Sequence, residues 1–567
     1  MFFDPSLPTL APWLLFSHPA ILYSIRVFFD DIQQTLSALP WNLYFAYTLT
    51  LCLIMVLAKA CPILGFSWAL QLIVISCCLI ATGYAQAPPT TYLQTPSTHQ
   101  LDWHQLEYYA FVHFGPNTFT DEEWGRSQST PDVFAPTDLD TDQWAKSFAD
   151  SGMAGMILTA KHHDGMALWD TNTTTYKIGN GKWAKDRVAN GLNPDVVQLA
   201  AASAKKYGIK FGIYLSPWDI HRDPAMPKPQ LAGTIYDEPQ IFGDTTPGDY
   251  NEFYAQQLTE LVTMKLSDGS LIEVSELWLD GNSGSDTVQT FNWTDFRNII
   301  RDHQPGAIMW GHQGVDARWV GNEDGVTVAT NWHTISRTQD DPHYDGEQLQ
   351  TGVRDGTYWT PSEADARLRD GWFYHSNENP KTAEALMDMY LQSVGRSVNL
   401  LLDVPPDTTG QIVQGDVDIL SQFKEQRDTF LGRTLPSPGL SVNASSVRGG
   451  NITLYGPANV LDGNINTYWA INDEETTGWL EIELGGSYAV DAFITQEHIA
   501  LGQRIGGYMI EASINGSYKA LVNGTSLGYK RIDRLSTPVE TSRIRLHITQ
   551  ANATPLVNSF QVLGASN

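Results

Sequence analysis

Cysteine is nearly absent from this chain of 567 residues. The four cysteines, Cys52, Cys61, Cys77 and Cys78, all precede residue 80. The rest of the chain therefore has no disulfide framework, no thiol nucleophile and no thiolate metal site. A chain this long buries enough apolar surface to do without disulfides. Basic residues are also scarce. There are 35 Lys and Arg against 63 Asp and Glu, a formal net charge of −28, and the pI is near 4.7. That balance argues against nucleic acid and anionic membrane surfaces as partners. It suits an acidic compartment, where carboxylates are partly neutralised. No Gly-x-Ser-x-Gly elbow is present, which argues against a serine hydrolase. No Gly-rich dinucleotide loop follows the first predicted strand. The apolar stretch Ala69–Ala81 has about 13 residues, short of the roughly 20 that span a bilayer.

That stretch is followed by Ala85-Gln-Ala87. Together they read as the apolar region of a secretory signal and a small-x-small cleavage site. Residues 1–54 fit this poorly, whereas Met55, Lys59 and the apolar run make a better signal. We expect translation to start at Met55 and the mature chain to begin near Gln86–Pro88. The alternative is a signal anchor or membrane hairpin. Asn-x-Ser/Thr sequons begin at Asn172, Asn292, Asn443, Asn451, Asn515, Asn523 and Asn552. A secreted, N-glycosylated, extracellular protein is expected, in the apoplast or cell wall if the source is a plant. No stable membrane insertion of the mature chain is expected. The chain divides into an N-terminal extension and signal (1–87), a first domain (88–434), a Pro-rich linker (435–439) and a second domain (440–567).

Between Tyr92 and Arg433 short apolar runs recur, each ending in polar or aromatic residues. Tyr109–Gly115, Gly155–Gly165, Ile209–Trp218, Glu276–Gly281 and Ala307–His312 are the clearest. Val326–Thr330, Trp372–His375 and Val398–Asp403 are weaker candidates for three more. Helical stretches intervene. One is Pro194–Tyr207, with proline at its start and Gly208 at its end. Another runs from Tyr250 to Met264. Eight strands alternating with helices predict a (β/α)8-type barrel. In such barrels the chemistry sits at the C-terminal strand ends. His113, His162, His163, Asp164, Trp218, Asp280 and His312 all fall there.

Asp280 closes an apolar strand. A carboxylate there is partly desolvated and rigidly held, as a nucleophile requires, or it is an N-cap for the next helix. Lys161-His-His-Asp-Gly165 reads as a metal site only if the strand bends, since neighbouring side chains on a strand point to opposite faces. A clamp for substrate hydroxyls is the better reading, because imidazole both donates and accepts. Trp124, Trp218, Trp278 and Trp372 lie beside strand-end polar residues, where aromatic faces stack on sugars. Each is otherwise a core residue.

Taken together, Ala110-Phe-Val-His-Phe-Gly115, Glu122-Glu-Trp-Gly125, Lys161-His-His-Asp-Gly165, Trp278-Leu-Asp-Gly281, Arg318-Trp-Val-Gly-Asn-Glu-Asp-Gly325 and Leu400-Leu-Leu-Asp-Val-Pro-Pro406 resemble the α-L-fucosidases of glycoside hydrolase family 29. The likeness covers about residues 92–432. With Pro361-Ser-Glu-Ala-Asp365 it is similar to the branch restricted to α1,3 and α1,4 links, a plant-like form. The resemblance implies a retaining enzyme that needs no metal or other cofactor. It implies Asp280 as nucleophile and Glu323 as acid/base, with Asp316, Asp324 and Glu363 as competitors for that role. It places His113, Glu123, Trp124, His162, His163, Tyr214, Trp278 and Arg318 around the fucose. Trp372 or Phe373 would supply an aromatic wall for the sugar's methyl group. The expected partners are fucosylated oligosaccharides or N-glycans, and no nucleic acid. A retaining glycosidase for another sugar such as galactose, and a catalytically silent lectin, are the alternatives.

After residue 440 short alternating strands take over. Val460–Trp469 and Trp479–Leu484 resemble the discoidin or coagulation-factor type C domains, which implies a β-sandwich of jelly-roll type. Many such modules bind galactose-like sugars and some hold a structural calcium near the Asp462-Gly463 turn; a structural cap on the barrel is the alternative. Trp469 is expected in the core.

Overall fold

The computed structural model describes residues 86–567 except 126–128, 226–240, 244–248, 281–288, 312–315, 337–345, 436–438 and 567. Residues 1–85 with the four cysteines, Gly281, His312 and linker residues 436–438 lie outside the described residues.

Eight parallel strands build the first domain. They are β1 (Tyr108–Val112), β2 (Gly155–Lys161), β3 (Lys210–Leu215), β4 (Glu276–Trp278), β5 (Ile308–Trp310), β6 (Arg318–Trp319), β7 (Ser362–Arg367) and β8 (Asn399–Asp403). Their order in the sheet is β5-β4-β3-β2-β1-β8-β7-β6. A parallel bridge from Trp310 to Ala317, just ahead of β6, nearly closes the sheet into a barrel. Helices such as Val196–Tyr207 pack outside. That helix starts on Asp195, whose side chain accepts the Gln198 N–H, and ends on Gly208 in the left-handed conformation.

Two of the predicted strands are wrong. Val326–Thr330 and Trp372–His375 are loop, and the barrel uses Arg318–Trp319 and Ser362–Arg367 instead. The reason is polarity. In β7 the small residues Ala364 and Ala366 alternate with Glu363, Asp365 and Arg367. Glu363 and Asp365 bond the indoles of Trp278 and Trp319 on the barrel's inner side, at 2.7 and 2.8 Å. A search for apolar runs passes over such a strand.

The period of two sets the interior. Inner positions of β1 are Tyr109 and Phe111, followed by His113. Those of β4 are Glu276 and Trp278, followed by Asp280. Phe111, Tyr214, Trp278, Trp310 and Leu401 pack together inside the barrel. Alternate residues such as Ala110, Leu158, Ile213, Leu277 and Leu402 face the helices in the larger apolar layer. At the bottom Trp103, from the helix Thr98–His104, donates its indole N–H to Glu276 at 2.9 Å.

The second domain is an antiparallel sheet of seven strands. Its long strands Gly478–Glu497 and Arg531–Ala551 carry bulges that bend them, so the sheet wraps around one core. Trp469 lies fully buried in that core, and Leu435 packs against it. The domain is fastened to the barrel. Gln503 accepts the His333 N–H and donates to Asn331 C=O, both at 2.9 Å, and Lys530 pairs with Glu107.

Candidate active site

Asp280 sits two residues beyond β4, at the barrel mouth, with its side chain 34% exposed. Its Oδ2 accepts the Tyr214 hydroxyl at 3.0 Å and lies 3.3 Å from His163 Nε2. Burial and the Asp280 charge push the Tyr214 phenol well above its ordinary range, so it stays a donor. Ser216 fixes the tautomer of His163. Its own hydrogen goes to the Trp218 carbonyl at 2.6 Å, so it accepts from His163 Nδ1 at 2.7 Å. Nε2, the other ring nitrogen, is then the one that faces Asp280.

His162 and His163 both face this site, with ring centroids 4.2 Å apart. Strict strand alternation predicts opposite faces. The pairing of β2 with β3 shifts register between Thr159 and Lys161, and the chain turns after Lys161. Lys161 consequently points outward to Asp219 and to the rings of Tyr250, Phe253 and Tyr254. His162 stacks on Tyr214 at 5.5 Å and 21°.

His113 ends the inner row of β1, and its Nδ1 lies 2.7 Å from Asp403 Oδ1 at the end of β8. Both groups are buried. Burial pushes His113 down to about 3 and Asp403 well up, so burial disfavours the charged form of each. Trp372 lies over His113 at 5.0 Å, and Phe373 meets both His113 and His162 edge-on. Trp124, 53% exposed, stands edge-on to His163 and Trp218. Trp278 forms the floor, donating to Glu363 at 2.7 Å and stacking on Trp310.

Glu323 lies on the loop after β6, 48% exposed, with Arg367 Nη2 at 3.9 Å. Its charge and those of Asp280 and Glu123 all act on the His113 ring. Two of the three competing carboxylates are placed elsewhere. Glu363 is buried beneath Trp278, and Asp316 is engaged by Arg301 and by the Met309 N–H. Asp324 lies on the same loop as Glu323, and its backbone bridges to Ala366 of β7.

Arg318 is not brought to the site. Its guanidinium is buried and donates to the carbonyls of Trp332, Leu349 and Thr360. On a two-residue strand only one side chain faces inward, and here it is Trp319, bonded to Asp365. Four residues at the site escaped the sequence reading: Ser216, Arg367, His375 and Asp403. Period-two counting from Tyr214 finds Ser216, and a strand-end carboxylate like Asp280 was the signal for Asp403. Arg367 and His375 carry no local signal.

The comparisons agree with this geometry. The family profile described as alpha-L-fucosidase matches residues 90–425. The chain belongs to the α-L-fucosidase family. A second profile, the F5/8 type C domain, matches residues 441–560. An α-L-fucosidase from Arabidopsis thaliana is 36% identical over 479 residues, covering 83% of this chain and 87% of the relative. A glycoside hydrolase family 29 fucosidase from Ruminococcus gnavus, solved in complex with fucose, aligns with a TM-score of 0.75 at 30% identity. That alignment covers 85% of this chain and 97% of the bacterial one. In the F5/8 type C domain both oxygens of Asp462 are used within the turn, accepting from Asn464 N–H and the Thr467 hydroxyl at 2.8 and 2.7 Å. The turn is thus closed by its own hydrogen bonds.

Proposed function

We propose that this chain is a secreted, retaining exo-α-L-fucosidase that removes α1,3- and α1,4-linked L-fucose from glycans by double displacement. The observation that carries the reading is Asp280. It stands at a barrel strand end with Tyr214 and His163 on one oxygen, in a chain of the α-L-fucosidase family. Asp280 attacks the anomeric carbon while Glu323 protonates the departing glycosidic oxygen. The bond from C1 to that oxygen breaks and a fucosyl ester of Asp280 forms. Glu323, now ionised, takes a proton from water, which displaces Asp280 and restores both groups. Retention requires the carboxyls roughly 5–5.5 Å apart in the working complex. Nothing in this sequence of steps calls for a metal. The imidazoles of His113 and His162 suit the sugar hydroxyls, and Phe373 with Trp372 suits its methyl face. The fucose-bound bacterial relative supports fucose over galactose.

Secretion and N-glycosylation follow from the predicted signal and the sequons. Among the described residues no helix is long and apolar enough to cross a membrane. The test is release of L-fucose from a Lewis-type trisaccharide compared with an α1,2-linked one, with the anomer followed by NMR. Release from the first, initially as the α-anomer, is expected. Release of galactose, or binding without turnover, selects the corresponding alternative.

A further inference from the structure

Two loops bring tryptophans to the pocket, and a histidine outside the family-implied set joins them. His375 Nδ1 lies 2.5 Å from Asp121 Oδ1, and its Nε2 lies 2.7 Å from Glu123 Oε1. A neutral imidazole carries one N–H, so only the imidazolium donates to both carboxylates. Glu123 also accepts the backbone N–H groups of Trp372 at 2.9 Å and Phe373 at 3.3 Å. The junction is tightly built. A Cβ at Gly371 would lie 2.6 Å from both Glu123 Oε1 and His375 Cδ2, so a side chain there would displace the pair. Asp121 caps the C-terminus of the helix Pro116–Thr120 with a left-handed φ of 58°, a conformation that Asp tolerates better than most residues.

We propose that His375 is a positioning residue: an imidazolium latch that ties the Trp124 loop to the Trp372–Phe373 loop and so sets how firmly the pocket grips its sugar. The grip rests on the reading of this pocket as the fucose site. The charged groups facing the ring are Asp121, Glu123 and Glu378. Burial works against the ring's charge, but these carboxylates outweigh it and hold the imidazole above its ordinary value of 6.5. As pH rises through that raised value the ring loses a proton, and one lone pair then confronts a carboxylate. The latch is closed in acid and opens toward alkaline pH.

Two measurements test this on wild type, His375→Gln and Asp121→Asn. Asp121 is 78% exposed at its side chain, and asparagine tolerates the left-handed conformation, so that variant keeps the fold. The first measurement is amide hydrogen exchange in sugar-free protein. Exchange at Trp372 and Phe373 should speed by roughly tenfold in His375→Gln and by less in Asp121→Asn. The second is steady-state kinetics on an aryl α-L-fucoside across acid to alkaline pH. Wild-type KM should rise above pH 6.5. His375→Gln should start with KM raised roughly three- to tenfold, with kcat little changed and no further rise. Unchanged exchange in folded His375→Gln overturns the latch whatever the substrate is. A KM and pH profile equal to wild type overturns its role in binding. A wild type that neither cleaves the fucoside nor binds L-fucose sinks the functional reading instead, and the exchange result still decides the latch.

Discussion

Replacing Tyr214 by Phe isolates one hydrogen bond of the proposed mechanism. The ring is fully buried and lies between His162 and Trp278, 5.5 Å from each at 21° and 23°. Phenylalanine keeps that packing and removes only the hydroxyl, 3.0 Å from Asp280 Oδ2. A hydrogen bond to a charged group is worth about 1.5–3 kcal/mol. Asp280 is 34% exposed, so water competes and the lower end applies, equivalent to roughly tenfold in rate. The loss should fall unevenly on the two steps. In the first, Asp280 spends its charge on the anomeric carbon, so the bond weakens toward the transition state and its loss costs little. In the second, the charge returns to Asp280 as it leaves, and the donor strengthens just when it is needed. With an aryl fucoside bearing a good leaving group, kcat and KM should fall together by roughly tenfold. kcat/KM should stay within about threefold, and a pre-steady-state burst should appear. A rise in KM at constant kcat refutes the reasoning and makes Tyr214 a sugar ligand instead.

Three further outcomes are expected. Glu323→Ala should slow a natural glycan strongly and be rescued by azide as the α-fucosyl azide, because azide needs no base; equal rescue of Asp316→Ala, Asp324→Ala or Glu363→Ala moves the role to that residue. In the F5/8 type C domain, burial pushes Glu497 up to about 8 although it accepts the N–H groups of Arg504, Ile505 and Gly528. A carboxyl with a raised folded value adds stability that is complete below its unfolded value of 4.5 and is lost as pH rises through about 8. Glu497→Gln cannot ionise, so its Tm relative to wild type should climb between about pH 5 and about pH 9, and a constant difference refutes this. Of the seven sequons, Asn552 should carry no glycan on glycopeptide mapping: its side-chain amide nitrogen is buried and its oxygen bonds the barrel's Arg354.

Legibility in the sequence tracked polarity. β1 to β5 and β8 were visible because their outer faces are aliphatic and their inner faces largely aromatic or apolar, so both read as buried. Asp280 was visible for the same reason, as the first carboxylate after such a run. β6 and β7 were not, because their inner residues belong to the site and its supports. Asp365 bonds Trp319, Glu363 bonds Trp278 and Arg367 lies over Trp372 beside Glu323. A barrel wall that carries charge inward breaks the pattern by which walls are recognised. The same cause misplaced Arg318, since a long cation in a family motif suggests a substrate contact. Here it ties three backbone carbonyls behind the wall that its neighbour Trp319 faces. His375 was invisible for a different reason. Its partners Asp121 and Glu123 lie about 250 residues away in the chain, and nothing local marks such a contact. The strand end that carries Asp280 is thus legible from the apolar pattern, whereas Glu323, on the loop after β6, is marked only by the family motif. The residues that aim them come from polar strands and loops, where hydrophobic periodicity carries no information.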